Sequence, residues 1–419
     1  MNRRHVLSAM AAAAALPLAG RASAFAPETG FVSDVDWLID QVSARYAYLP
    51  ERHLDLAKLR ALARADAAAA ADRKAFLPVL ERLVAELHDD HITINSNNDH
   101  SPQLVPTGTE IWAEMAGGRA GVTEVRLGSS AEAAGVRAGD EIVSISGQPA
   151  AMMVAERRAK TLSAPDPEAD NFALRALMAG NHVDQRVFGL RHADGREQAV
   201  SLPPYKGGPG GPLVSVQMLE GDLAAIRIEN SLGDSDLVAA FDKALAQVKA
   251  SRGLILDLRN TPSGGDSDIA EPILGRFIKG THGYQRVFTP APGKSFPKDS
   301  WVKPVKGRGP FTYARPLVVL CNHWTGSMGE GMTIGLDGLK RSITVGTRMA
   351  GLCGGTEGFT LPKSQFSVHV PTERLYHIDN TPRESWAPRE LVDLARASGA
   401  DPVMARGIEA LKAATQAKR

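Results

Sequence analysis

The chain has almost no cysteine, no excess of charge of either sign, and no long apolar run beyond its first residues. Two cysteines, Cys321 and Cys353, in 419 residues exclude a disulfide-stapled scaffold, although in an oxidising compartment this one pair is free to bridge. A formal net charge of +1 supplies no global field to draw nucleic acid or an anionic membrane, so neither is expected as a partner. Metallopeptidase spacing of the HExxH kind is missing. No later segment offers the ~20 apolar residues of a spanning helix, so no stable membrane insertion is expected.

What is present begins with an address. Arg3 and Arg4 precede an Ala-rich apolar run from Val6 to about Leu18, and Ala22-Ser23-Ala24 supplies small residues for cleavage. Residues 1–24 therefore read as an export signal of the twin-arginine kind, a Sec signal being the alternative, and the mature protein is expected in the periplasm or outside the cell.

At this length two or three domains are expected. Residues 27–100 carry helical periodicity, with Val35, Leu38, Ile39, Val42 and Tyr46 on one face. Residues 104–204 change to short β-like runs punctuated by glycine, and 205–212 form a Gly/Pro linker. From 213 to 400 strands and helices alternate, which predicts an α/β domain. Residues 401–419 read as a C-terminal helix or tail.

Two stretches carry chemistry. In Leu317-Val-Val-Leu-Cys-Asn-His-Trp-Thr-Gly-Ser-Met-Gly-Glu330 a buried strand runs into a tight turn, and Ser327 stands where the next helix begins. There a hydroxyl is exposed in the positive field of a helix N-terminus, and the Met328 N–H faces a developing oxyanion. A plain N-cap would look the same. In Leu256-Asp-Leu-Arg-Asn-Thr-Pro-Ser-Gly-Gly265 a strand ends in a turn whose Gly264 and Gly265 let an amide approach the same point. An α/β-hydrolase elbow needs G-x-S-x-G, whereas Gly326 here directly precedes Ser327. The cluster Leu87-His88-Asp89-Asp90-His91 reads as a source of a general base, as polar loop residues, or as an opportunistic metal site. His369 and His377 lie among strand-like residues and read as structural.

Together the two turns resemble the tail-specific (C-terminal-processing) serine protease superfamily, whose strand "DLR.N.GG" and turn "GS..E" correspond to Asp257–Gly265 and Ser327–Glu330. Between 122 and 147 the pattern "A..AG...GD.I..I.G" resembles a bacterial PDZ domain. The resemblance covers about residues 34–388 and implies a multidomain α/β protein with a crotonase-like ββα catalytic domain. Many members use a lysine base, but Leu352 occupies that position here. The tricorn-like branch instead takes a histidine from a pattern like "L.D.H", which makes His91 the base. It also implies that Glu384 holds the ring through Asp90. The PDZ likeness implies capture of peptide or protein C-termini by strand addition, with the carboxylate near Gly118, Gly121 and Val122. No metal or organic cofactor is implied. The expected activity is a serine endopeptidase; the alternative is an inactive relative that binds peptides or small ligands.

Overall fold

The computed structural model describes residues 30–207, 211–229, 231–262, 265–291 and 297–417. The expected export signal, the middle of the Gly/Pro linker and Gly264 lie outside these residues.

The first unit is helical for the reason its periodicity suggests. Helix α1 (Gly30–Arg45) buries Val32, Val35, Leu38, Ile39 and Val42. Asp55 and Asp72 cap α2 (Leu56–Ala69) and α3 (Arg73–Glu86), accepting from the amides of Lys58 and Ala75 and so satisfying first-turn donors. A short strand β1 (Thr93–Ile94) follows.

The second unit is one sheet with helices. Its elements are β2 (Ile111–Ala116), β3 (Arg119–Val125), α4 (Ser130–Ala133), β4 (Glu141–Ile145), β5 (Gln148–Pro149), α5 (Ala150–Arg157), α6 (Pro167–Ala179), β6 (Arg186–Arg191) and β7 (Glu197–Leu202). The strand order is β2-β3-β4-β6-β7, with β5 on β4. Ile111, Val122, Ile142, Phe188 and Leu190 form its core with Leu174 of α6.

The third unit contains β8 (Val214–Leu219), β9 (Leu223–Ile228), α7 (Leu237–Gln247), β10 (Gly253–Asp257), α8 (Ser267–Leu274), β11 (Thr281–Pro290), β12 (Pro297–Lys306), β13 (Leu317–Cys321), α9 (Met328–Gly338), β14 (Ile343–Gly346), β15 (Gly355–Thr360), β16 (Ser367–Tyr376), β17 (Glu390–Leu391) and α10 (Pro402–Gln416). One sheet has the order β17-β14-β13-β10-β9-β8, parallel except for β8. Every residue of β10 and β13 is buried, as expected for parallel strands covered on both faces. Leu254, Leu256, Leu317 and Val319 pack under α7, α8 and α9, while Ile255, Val318 and Leu320 pack under α10.

The α/β, multidomain expectation holds, with two adjustments. The C-terminal segment is no tail: Val403, Ala410 and Leu411 of α10 cover the sheet. Nor does the N-terminal helical segment stand apart. Its core includes Phe359, Leu361, Phe366, Val368 and Val370, β1 pairs with β16, and the buried Asp34 carboxylate accepts from Lys363 N and Ser364 N at 2.8 and 2.7 Å. Sharing a sheet and a core fixes the N-terminal unit rigidly against the C-terminal one. That attachment determines where His91 arrives.

Candidate active site

The neighbouring parallel strands β10 and β13 end side by side, and the turns beyond their carboxyl ends build the site. Between Leu317 and Glu330 only Ser327 is not buried. Its backbone sits at φ 50°, ψ −113°, a conformation side chains other than glycine rarely adopt and one that surrounding contacts must hold in place. Those contacts are visible. The Ser327 N–H donates to Glu330 Oε2 at 2.8 Å, Gly326 N to Thr261 O at 2.9 Å, and Thr261 N to Trp324 O at 3.1 Å. A side chain on Gly326 would lie 2.2 Å from Pro262 O, and one on Gly265 would lie 2.1 Å from Met328 Cβ. Only hydrogen at both positions lets the two turns close on each other.

The candidate base comes from the other end of the polypeptide. His91 Nε2 lies 3.1 Å from Ser327 Oγ, and His91 Nδ1 lies 2.6 Å from the carbonyl oxygen of Cys353. A carbonyl only accepts, so Nδ1 carries the ring proton and the Nε2 lone pair faces the serine hydroxyl. Asp89 shapes the turn beneath: its Oδ1 accepts from His91 N at 2.9 Å, and its Oδ2 accepts from Tyr46 Oη at 2.7 Å. Burial, reinforced by the charge of Arg383, lowers the His91 pKa from 6.5 to about 4, so the ring is neutral and able to accept a proton.

Arg383 is the second organiser. Buried beside the nucleophile, it donates to Ser327 O at 3.3 Å, Leu352 O at 2.9 Å and Gly354 O at 2.7 Å. Glu330 is also buried, and its Oε1 accepts from Gly351 N at 2.9 Å. Burial raises its carboxyl to about 7 against the pull of Arg383 and of the two amides.

The relay expected through Asp90 and Glu384 is not made. Asp90 pairs with Arg175 at 2.7 Å, and the Cys353 carbonyl already fills His91 Nδ1. Glu384 makes no bond to the ring; its Oε2 is buried without a hydrogen-bond partner among the described residues. It lines a cavity of about 350 Å³ with Tyr48, Asp89, Asp90 and Cys353. His88 bonds Asp166 at 2.8 Å, and no metal-holding cluster occurs among the described residues.

Leu352 lies where a lysine was missing. Its Cδ1 is 3.1 Å from the position a Gly326 Cβ would take, so an apolar side chain packs beside the nucleophile turn. Met328 N–H makes no hydrogen bond among the described residues and remains available at the start of α9. The two cysteines are free and buried.

The residues expected to take a peptide carboxylate are misplaced. Gly118 forms the β2–β3 turn, while Gly121 and Val122 sit in β3, which is paired to β2 on one side and β4 on the other. Strand addition needs an open edge, and in this sheet β2 is the outer strand beside α6.

Residues 222–386 match the model of peptidase family S41, and residues 121–165 match that of a PDZ domain. The protein has a peptidase family S41 domain. Among solved structures it is similar to mature CPAF complexed with lactacystin (TM-score 0.57, 14% identity, 92% of this protein and 97% of that one). It is also similar to the photosystem II D1 C-terminal processing protease (TM-score 0.55, 19%, 90% and 96%). A third is a putative peptidase from Parabacteroides merdae ATCC 43184 (TM-score 0.54, 14%, 91% and 96%). At these identities the likeness concerns the fold. No curated protein matches the sequence. The expected resemblance to the tail-specific superfamily, with an S41 match following a PDZ match, is borne out.

Sequence reasoning missed Asp89, Arg383 and the Cys353 carbonyl. Asp89 had a signal, since an aspartate two residues before a turn residue commonly accepts its N–H. Arg383 adjoins Glu384, and nothing local says which of the two faces the nucleophile. A carbonyl carries no sequence signal at all.

Proposed function

We propose that the protein is an exported serine endopeptidase in which Ser327 is the nucleophile and His91 the general base. The single observation that carries this is the 3.1 Å approach of His91 Nε2 to Ser327 Oγ, within reach of proton transfer. Ser327 Oγ attacks the carbonyl carbon of a peptide bond as its proton passes to Nε2. The oxyanion takes the free Met328 N–H and an amide of the turn around Gly265. His91 then protonates the leaving amine, which departs as the acyl-enzyme forms. Water attacks the ester carbonyl as its proton passes to His91; the bond from the acyl carbon to Ser327 Oγ then breaks as His91 returns that proton to Oγ, releasing the carboxylic acid and regenerating free Ser327. Capture of substrate C-termini before cleavage is supported by the match of residues 121–165 to a PDZ domain.

A fluorophosphonate probe tests the reading. Labelling at Ser327 that disappears in Ser327→Ala and His91→Ala supports it. A wild-type protein that stays unlabelled yet binds peptide would instead make this an inactive binding relative. Export is tested by sequencing the mature N-terminus, expected at Phe25.

A further inference from the structure

We infer that the PDZ strand β3 and the residue that follows it act as a strut for catalysis, with Glu124 and Arg126 as positioning residues for the Ser327 turn and the facing Gly-rich turn. Two residues apart on an extended segment, these side chains share a face, and that face abuts the S41 domain.

Glu124 is buried, and its carboxylate is saturated by the S41 domain. Oε1 accepts from Asn322 Nδ2 at 3.0 Å, while Oε2 accepts from His323 Nδ1 at 2.6 Å, His323 N at 3.4 Å and Thr347 Oγ1 at 2.7 Å. Asn322 and His323 are the first residues after β13, and Asn322 Oδ1 in turn holds Trp324 N at 2.9 Å. The next contacts come from β2 and the residues before it: Trp112 stacks on His323 at 4.7 Å, and Trp324 Nε1 donates to Thr109 O at 2.8 Å. The turn that holds Ser327 at positive φ is thus clamped by groups contributed about two hundred residues earlier in the sequence.

Arg126 serves the opposite wall. It donates to Asn260 Oδ1 at 2.6 Å and Thr107 O at 3.3 Å, with its guanidinium 5.0 Å from the Tyr205 ring and 5.8 Å from that of Trp324. Asn260 Nδ2 continues to Glu229 O at 2.7 Å. Asn260 directly precedes Thr261, whose backbone laces the two turns together.

A buried carboxylate that receives three of its four donors from one loop fixes that loop's position, and a small displacement of a catalytic group costs rate steeply. Neither side chain bonds to Ser327, so their removal is expected to lower turnover rather than binding.

The inference rests on the serine-peptidase reading, so its test has two arms. In the mature full-length protein, Glu124→Gln, nearly isosteric, is expected to lower kcat on a peptide substrate about tenfold, and Glu124→Ala about a hundredfold, with KM within about twofold. Arg126→Lys is expected to lower kcat about fivefold, because an ammonium cannot reproduce the guanidinium fork. The second arm needs no activity. Amide exchange of residues 322–327 should rise at least about tenfold in Glu124→Gln while β6 and β7 stay protected. Unchanged exchange together with unchanged kcat overturns the strut, as does a rise in KM at constant kcat. A wild-type enzyme inert to fluorophosphonate removes the peptidase reading only, and the exchange arm still decides the strut. If Glu124→Ala does not fold, the Gln variant carries the decision.

Discussion

The turn carrying Ser327 and the turn carrying His91 do the same job by opposite means. The first is local and covalently continuous with the sheet. A buried strand ends, Glu330 three residues on holds the serine amide, and glycine lets the neighbouring turn close in. The second is assembled from distant pieces: Asp89 from its own turn, Tyr46 from the residues after α1, and a carbonyl 262 residues away. They also stand in opposite electrostatic positions. Burial keeps His91 neutral down to about pH 4 and keeps the Glu330 carboxyl protonated up to about 7. A nucleophile can be specified by a short motif, whereas its base is specified by how two distant segments share a sheet.

The largest effect expected from breaking this pairing is on turnover. Ser327→Ala and His91→Ala are each expected to cost on the order of 10⁴-fold or more in kcat/KM, and the double variant little beyond either single one. Additive losses would mean that the two groups act separately.

Arg383 ties the Ser327 turn, through Ser327 O, to the loop whose Cys353 carbonyl orients His91, through the Leu352 and Gly354 carbonyls. Arg383→Met is expected to destabilise the fold by about 3 kcal/mol in denaturant unfolding, because buried acceptors lose their charged donor. The same change should move the His91 titration upward, since Arg383 lowers it.

pH separates the turns by sign. Between 6.5 and about 4 the unfolded protein holds the His91 proton and the folded one does not, so this group's contribution to stability declines as pH falls through that window. Between 4.5 and about 7 the folded protein holds the Glu330 proton and the unfolded one does not, so that contribution is lost as pH rises. His91→Gln should flatten the first slope alone and Glu330→Gln the second alone, read from chemical unfolding across pH 4 to 8. If both variants kept the wild-type profile, the two groups would not be buried in these states. If the wild-type protein cleaves peptides as proposed, the acid limb of kcat/KM should fall near pH 4 rather than near 6.5.

The smallest effect is expected at Asp90. Its carboxylate pairs with Arg175 and not with the base, so Asp90→Asn should leave kcat within about threefold while costing about 1 kcal/mol of stability. A loss of a hundredfold would restore the relay through Asp90 that the family pattern implies.

Much of this was legible in the residues. Buried runs such as 254–258 and 317–320 declared parallel strands, and helical spacing from Val35 to Val42 declared α1. The pair of turns at 257–265 and 327–330 pointed to Ser327, and Leu352 in the lysine position pointed to a histidine base at His91. The positions that misled are those where identity does not fix direction. Asp89 and Asp90 are the same residue type in consecutive places, and only the turn geometry sends one under His91 and the other to Arg175. Gly118, Gly121 and Val122 fit a binding motif, yet whether a strand lies at an edge depends on what pairs with it.

The amino-acid order alone determined the strands, the tight serine turn, the histidine-bearing cluster and the absence of a lysine beside the nucleophile, because each is written in the side chains of one short segment. Tertiary structure alone decided that a carbonyl orients His91, that Arg383 ties the serine turn to the 352–354 loop, and that Glu124 of β3 and Arg126 just after it reach the two turns of the site. Those contacts join segments up to hundreds of residues apart, and their energy appears only once burial has stripped water from the groups that meet.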